Sequence, residues 1–223
     1  MDEIRVFYTP KPSHGYMTSM PCPETRDELY AIAKQFDAVW DERLYKWEGQ
    51  HRDYAAAMCT DAGADIILVV DADEVWLPEQ LKRVVGHVEE YAGVDTVAKY
   101  RIWRVNMVHF WRSLGWVCRD GMWPERVIVP GGRGGGYISQ HMAQPLHMGY
   151  AQSPGIVKYK ISIHGHKGEF RPEWFEKKFL AWAPGVRDVH PTCVNTWDPE
   201  PYDKDLIEDV VGDHPYFPLE IVE

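Results

Sequence analysis

The sequence predicts an α/β protein, and three observations carry that prediction. Strand-like and helix-like segments alternate from Ile4 to Val88, the layered pattern of α/β proteins. The run Ile66-Ile67-Leu68-Val69-Val70 is unbroken, apolar and mostly β-branched, the pattern of a strand buried on both faces of a parallel sheet. Helix-start chemistry falls between the strand-like runs, with Thr25-x-x-Glu28 as a capping box and Pro78 at a first helical position.

Taken in order, Ile4 to Tyr8 alternates as a strand, and the four prolines between Pro10 and Pro23 make a loop. The capping box opens a helix through Leu29, Ile32, Ala33 and Phe36, and a short strand follows at Ala38 to Trp40. A helix is expected from about His51 to Ala62, with Tyr54, Ala55, Met58 and Ala62 on one face and Gly63 as its stop. After the apolar strand, Leu81, Val84, Val85 and Val88 give the helix from Pro78 an apolar stripe. The second half reads as strands at Val97 to Trp103 and Val127 to Val129, then a glycine-rich loop from Gly131 to Gly136. Helices follow at Ile156 to Ile163 and Pro172 to Trp182. The stretch from Pro191 is acidic and broken by prolines, with one short helix near Asp205 to Val211. This organisation predicts a single domain over 1–190, in two halves at about 1–98 and 99–190, with 191–223 as an acidic extension packing on it.

With 223 residues, 45% hydrophobic and 26% charged, the chain has the composition of a soluble globular protein. No stretch approaches the roughly 18 apolar residues of a membrane span, and the N-terminus lacks the apolar core of a signal peptide. A cytoplasmic protein is the expectation. Cys22, Cys59, Cys118 and Cys193 are scattered, so neither a zinc knuckle nor a disulfide framework is indicated. A net charge of −10 argues against non-specific coating of nucleic acid. The charge is uneven: Lys99 to Arg187 holds 14 Lys and Arg against 5 Asp and Glu, while the remainder holds 10 against 29. Six tryptophans share that basic stretch (Trp103, Trp111, Trp116, Trp123, Trp174 and Trp182), which suits an anionic ligand with flat or sugar-like parts. The competing reading makes the tryptophans core and the cations internal partners of the acidic remainder.

An Asp-x-Asp pair is weak by itself: with 17 aspartates about one is expected by chance, and the chain has two. Asp203-Lys204-Asp205 lies in a polar, proline-rich stretch. Asp71-Ala72-Asp73-Glu74 follows the end of the apolar strand, where ligands of open α/β sheets bind. Carboxylates crowded there repel one another without a cation, and hard oxygen ligands suit Mg²⁺ or Mn²⁺.

His51-Arg52-Asp53-Tyr54 opening a helix, followed by Gly63-Ala64-Asp65-Ile66-Ile67-Leu68-Val69-Val70-Asp71-Ala72-Asp73-Glu74, resembles the centre of family 2-like glycosyltransferases of the GT-A fold. The resemblance extends more faintly to Pro124-Glu125-Arg126-Val127-Ile128 and to Pro145-Leu146-His147-Met148-Gly149-Tyr150, covering roughly Gln50 to Trp182. It implies a Rossmann-like mixed sheet flanked by helices and an inverting transfer from a nucleotide-sugar donor to an acceptor hydroxyl. Asp71, Asp73 and His147 would hold Mn²⁺ or Mg²⁺, with His141, His164 and His166 competing for the histidine role. Arg52, Asp71, Arg126, Lys158 and Lys160 would face the donor diphosphate. Glu125, or after it Asp120, would be the base that deprotonates the acceptor. The acceptor stays open between a glycan and DNA. The proline-rich run after the first strand departs from the family's nucleotide-binding half and leaves the donor base undefined.

Two rival readings stand beside this one. Val70-Asp71-Ala72-Asp73-Glu74-Val75 also fits the opening of haloacid-dehalogenase-type phosphatases, with Asp71 as nucleophile and Gly212-Asp213 as a poor stand-in for the second acidic site. A non-catalytic sugar-binding module is the other, against which the retained carboxylate cluster speaks.

Overall fold

Parallel strands cannot be joined by a hairpin and need a crossover, and the first elements of the chain are built that way. β1 (Arg5–Tyr8) pairs in parallel with β2 (Val39–Glu42) across α1 (Arg26–Gln35). Thr25 starts α1 through the closed capping box, its amide donating to the Glu28 carboxylate at 2.8 Å. The predicted stripe of α1 buries only Ala33, whereas Ile32 and Phe36 are exposed. α2 (Glu48–Asp61) begins one turn earlier than expected and ends at Gly63, whose φ of +89° only glycine adopts without strain. His51 Nε2 lies 2.9 Å from the Phe7 carbonyl, tying α2 to β1.

The structure, a computed structural model, describes residues 3–12, 18–92, 101–165, 167–192, 196–203 and 205–211. Val97 to Tyr100 of one expected strand, His166, Cys193, Lys204 and Gly212-Asp213 lie outside these. The chain divides into two compact units, residues 1–64 with 158–168 and residues 65–157 with 169–223.

The second unit is mixed α/β with two sheets. β3 (Ile67–Leu68) and β4 (Glu74–Val75) precede α3 (Pro78–Ala92), after which come β5 (Ile102–Val105), β6 (Val108–Trp111), β7 (Ser113–Arg119), β8 (Glu125–Ile128), β9 (Gly135–Ile138) and β10 (Leu146–Tyr150). β11 (Glu200–Pro201) and α5 (Asp205–Val211) complete this unit's elements, while α4 (Pro154–Ile163) has its residues from Lys158 on in the first unit. One sheet has the order β3-β8-β5-β9, the other β11-β7-β6-β10-β4. Val84 and Val88 of α3 pack with Trp103, Val105, Val127 and Ile138 over the four-stranded sheet. Over the five-stranded sheet, Ile207 and Val211 of α5 join Val108, Phe110, Leu114, Val117 and Met148. The described part of the acidic C-terminal stretch thus supplies both a strand and core side chains.

Four expectations change here. The Ile66–Val70 run is a two-residue edge strand antiparallel to β8, with Val70 49% exposed, rather than a strand buried in a parallel sheet. Ile66 and Leu68 pack against the α3 cluster, and Ile67 between them is buried. The glycine-rich stretch is a loop only as far as Gly134, since Gly135 and Gly136 belong to β9. A Cβ at Gly135 would stand 3.0 Å from Arg104 Nη1 and 3.3 Å from the Ile102 carbonyl, a tight fit against the neighbouring strand. The expected helix at Pro172 to Trp182 is a short π-helical segment, Phe175–Leu180. Trp103, Trp111, Trp174 and Trp182 are buried core residues, not faces offered to a ligand.

Six of the fourteen cations of the basic stretch are seen in ion pairs. Arg119 pairs with Glu200, Arg126 with Glu74 and Asp71, Arg171 with Asp188, and Arg187 with Asp198, each acid lying outside the stretch. Arg104 and Lys177 pair within it, with Glu125 and Glu173.

Candidate functional site

The Asp71-Ala72-Asp73-Glu74 segment is a turn closed by the Glu74 amide on the Asp71 carbonyl at 3.0 Å. It leads into β4, and strand register then fixes what faces it. β4 and β10 set Glu74 opposite His147, β10 and β6 set His147 opposite His109, and β6 and β7 set His109 opposite Cys118. Directly opposed residues share a face of the sheet, so a row of Glu, His, His and Cys side chains crosses four strands.

The turn's carboxylates divide into two groups. The first is closed. Glu74 has a fully buried side chain, and Arg126, 8% exposed, reaches it from β8 with Nε at 2.9 and 3.0 Å from its two oxygens. Arg126 Nη2 also contacts Glu74 Oε1 and donates to Asp71 Oδ2 at 2.8 Å. Burial pushes the Glu74 carboxyl above its ordinary range and the guanidinium opposes that rise. A buried carboxylate and a buried guanidinium are tolerable only together. Arg126, read from the sequence as a diphosphate partner, is instead the counter-ion of Glu74 and Asp71.

The second group runs inward from a partly exposed end. Asp73 Oδ2 lies 3.5 Å from His147 Nε2, with side chains 22% and 16% exposed, and the Asp73 carbonyl accepts from the Met148 amide at 2.7 Å. His147 Nδ1 is 3.0 Å from His109 Nδ1. His109 Nε2 faces Asp120 Oδ2 at 3.5 Å, and Asp120 is 2% exposed. Trp197 Nε1 donates to the same Asp120 oxygen at 2.9 Å, and the Met122 amide donates to the other at 2.9 Å. Burial would raise the Asp120 carboxyl, but His109, Trp197 and the Met122 amide together hold it down at about 2. Asn106 clamps the loop that carries Asp120, its Nδ2 donating to the Asp120 and Met122 carbonyls at 3.0 Å. Trp197 also packs its ring against His109 at 4.8 Å and His190 at 4.5 Å.

The structure therefore brings Asp71, Asp73, Arg126, His147 and Asp120 into one neighbourhood of the second unit. Glu125 is not in it. At the irregularity in the β5–β8 pairing, Arg126 reaches Glu74 while Glu125 pairs with Arg104 at 2.5 Å and is 49% exposed. Arg52, Lys158 and Lys160 belong to the first unit, where Arg52 pairs with Glu48 at 2.7 Å. His141 is exposed and lies in the turn after β9, and His164 follows α4 in the first unit. His109, Trp197 and Asn106 were not legible as site residues, because only strand pairing and a loop distant in sequence bring them to His147.

Among the described residues no three His, Cys, Asp or Glu side chains form a ready metal cluster. The chemistry of the Asp73–His147 pair nonetheless fits a divalent cation. A carboxylate oxygen and an imidazole nitrogen face each other across 3.5 Å, a donor set suited to Mn²⁺. Cations of this class commonly take one or two protein ligands and complete their shell with phosphate oxygens and water.

Fold and site together define a mixed α/β protein with a carboxylate–histidine site at the edge of a five-stranded sheet. No family model, curated protein or solved structure matches the chain. No helix among the described residues is long and apolar enough to cross a membrane.

Proposed function

We propose that the chain is a metal-dependent glycosyltransferase with a GT-A-like sheet, moving a sugar from a nucleotide-sugar donor to an acceptor hydroxyl with inversion. The observation that carries this reading is Asp73 Oδ2 facing His147 Nε2 at 3.5 Å, directly after the Asp-x-Asp-Glu turn. Asp73 and His147 would hold Mn²⁺ or Mg²⁺, whose charge stabilises the leaving diphosphate. Asp71 stands beside them, oriented by Arg126. A phosphatase reading would make Asp71 the nucleophile, but a carboxylate bound to a guanidinium at 2.8 Å is a weakened one. The acceptor class favoured is a glycan hydroxyl over DNA, because the basic stretch pairs so many of its cations internally.

Thermal shift with a panel of nucleoside diphosphate sugars, with and without Mn²⁺, tests the proposal. Stabilisation by a nucleoside diphosphate that requires Mn²⁺, followed by release of free nucleotide from one sugar donor, is expected. Stabilisation indifferent to the metal, or phosphate release from simple phosphomonoesters, would overturn it.

A further inference from the structure

The geometry points to a carbohydrate-binding platform on the four-stranded sheet, formed by Tyr137, Trp123 and the Arg104–Glu125 pair. Its use by a glycan acceptor rests on the transferase reading above, whereas binding of a neutral saccharide there does not.

Side chains alternate between the two faces of a strand, and along β9 the burial follows. Gly136 and Ile138 are buried, Ile138 within the α3 cluster, while Gly135 and Tyr137 turn outward. Strand register carries the outward row across three strands, with Tyr137 opposite Arg104 and Arg104 opposite Glu125. A bulge in the β5–β8 pairing sets the last step. Trp103 faces Val127 and Arg104 faces Glu125, so Arg126 is the extra residue. Bulges re-aim side chains in this way, and here Glu125 joins the row while Arg126 reaches Glu74.

The row presents an aromatic corner beside an ion pair. Tyr137 is 61% exposed, and Trp123 meets it edge-on, with ring centroids 5.5 Å apart and planes at 86°. The Arg104 guanidinium lies 5.9 Å from the Tyr137 centroid and pairs with Glu125 at 2.5 Å. It has room there because residue 135 is glycine. Asn106 donates to the Asp120 and Met122 carbonyls and so fixes the loop that carries Trp123. Groups held in place before binding lose less freedom when a ligand arrives.

The occupant follows from charge and shape. An exposed aromatic ring takes an apolar surface, and a pyranose offers one, with C–H bonds on its face and hydroxyls around its rim. Arg104 supplies donors and Glu125 acceptors for those hydroxyls, since one ion pair uses only part of either group's hydrogen-bonding capacity. A polyanion suits the place poorly: Arg104 is already balanced, and the Glu125 carboxylate repels phosphate. A neutral saccharide therefore fits better than nucleic acid, whose bases would also stack on such rings. The platform adjoins the carboxylate turn through the chain itself, because Glu125 is followed by Arg126, which holds Asp71 and Glu74.

The test uses the full-length protein without added metal or nucleotide. It is screened on an array of neutral and acidic glycans, and binding in solution is read by saturation-transfer NMR with the free saccharide and with a single-stranded DNA oligonucleotide. A neutral oligosaccharide should bind, with saturation reaching its ring C–H protons, in preference to DNA. Tyr137→Ala should weaken that binding by about 10-fold or more, as truncation of an aromatic anchor does. Tyr137→Phe keeps the ring and should retain most of the affinity. Should Tyr137→Ala fail to fold, ¹³C-labelled tyrosine in the wild type gives a second readout, with Tyr137 assigned through Tyr137→Phe. Its ring signals should shift on saccharide addition. Preference for DNA, no binding to any neutral saccharide, a Tyr137→Ala variant that binds normally, or unmoved Tyr137 signals would each overturn the platform. Saccharide bound at Tyr137 by a protein that binds no nucleotide with Mn²⁺ would keep the platform and sink the transferase reading. Mn²⁺-dependent nucleotide binding without saccharide binding would do the reverse.

Discussion

Asp73 and Glu74 are neighbours in sequence, yet the protein treats their carboxylates in opposite ways. Glu74 is fully buried and locked to Arg126, a charge pair with both ends closed. Asp73 is 22% exposed, and the partner it faces is an imidazole whose far side runs through His109 to the buried Asp120. The first arrangement holds β4 to β8 and has no valence to spare for a ligand. The second is buried at the inner end and partly exposed at the outer one. The difference teaches that clustered carboxylates are not equivalent candidates: one is taken up by a buried guanidinium, and the other stays partly exposed beside an imidazole.

The largest expected effect breaks the closed group. Arg126→Met leaves Glu74 buried without a counter-charge, and the loss of stability should be about 3–5 kcal/mol, read by denaturant unfolding. Adding Glu74→Met to that variant should recover much of the loss, because a matched apolar pair has no charge to desolvate. A well-folded single variant would show that water reaches Glu74 and that the two groups are less different than described.

Asp120→Asn comes next, with an effect on stability of roughly 2 kcal/mol near neutral pH. The folded carboxyl titrates at about 2, below its ordinary 3.8. The ionised form is therefore favoured by folding, and the stability it contributes is present above about pH 4 and lost as pH falls through 2. Wild type and variant should accordingly converge in stability over that window. A gap that persists unchanged at pH 2 would mean that Asp120 acts by packing alone.

Glu125→Gln should do least. The side chain is half exposed on the far face of β8 with only Arg104 as its ion-pair partner among the described residues, and exposed pairs of this kind contribute about 0–1 kcal/mol. Turnover, once a donor is found, should fall by less than about 3-fold, as for a group outside the transition state. A steep loss of turnover with donor binding intact would restore Glu125 as the base and reverse the direction assigned to it here.

What was legible in the sequence was local. The capping box at Thr25 and Glu28, the glycine stop of α2, the apolar stripe of α3 and the short helix at Asp205 to Val211 depend on residues within a turn or two of one another. The five-stranded sheet was not legible. β6 and β7 are buried through Val108 to Leu114, and they mix His109, Arg112 and Ser113 with aromatic and aliphatic residues, so no alternation marks them. Ile66 to Val70 misled for the converse reason, since a uniformly apolar run does not reveal that it ends on an exposed sheet edge. Asp73 and His147 were readable from their motifs. Asp120 was named too, but as a candidate base; that it backs His109, and that His109 meets His147, becomes visible only when β10 lies beside β6, a non-local pairing that no short window of residues encodes.

The central claim of the proposed function is that a divalent cation binds at Asp73 and His147, and not at Glu74 and Arg126. Titrating Mn²⁺ into wild type and Asp73→Asn, with free Mn²⁺ followed by electron paramagnetic resonance in the presence of a nucleoside diphosphate, tests it most directly. The account predicts one site in the wild type, lost by at least about 100-fold in a variant that unfolds at the same denaturant concentration. Equal Mn²⁺ binding by the two proteins would contradict it.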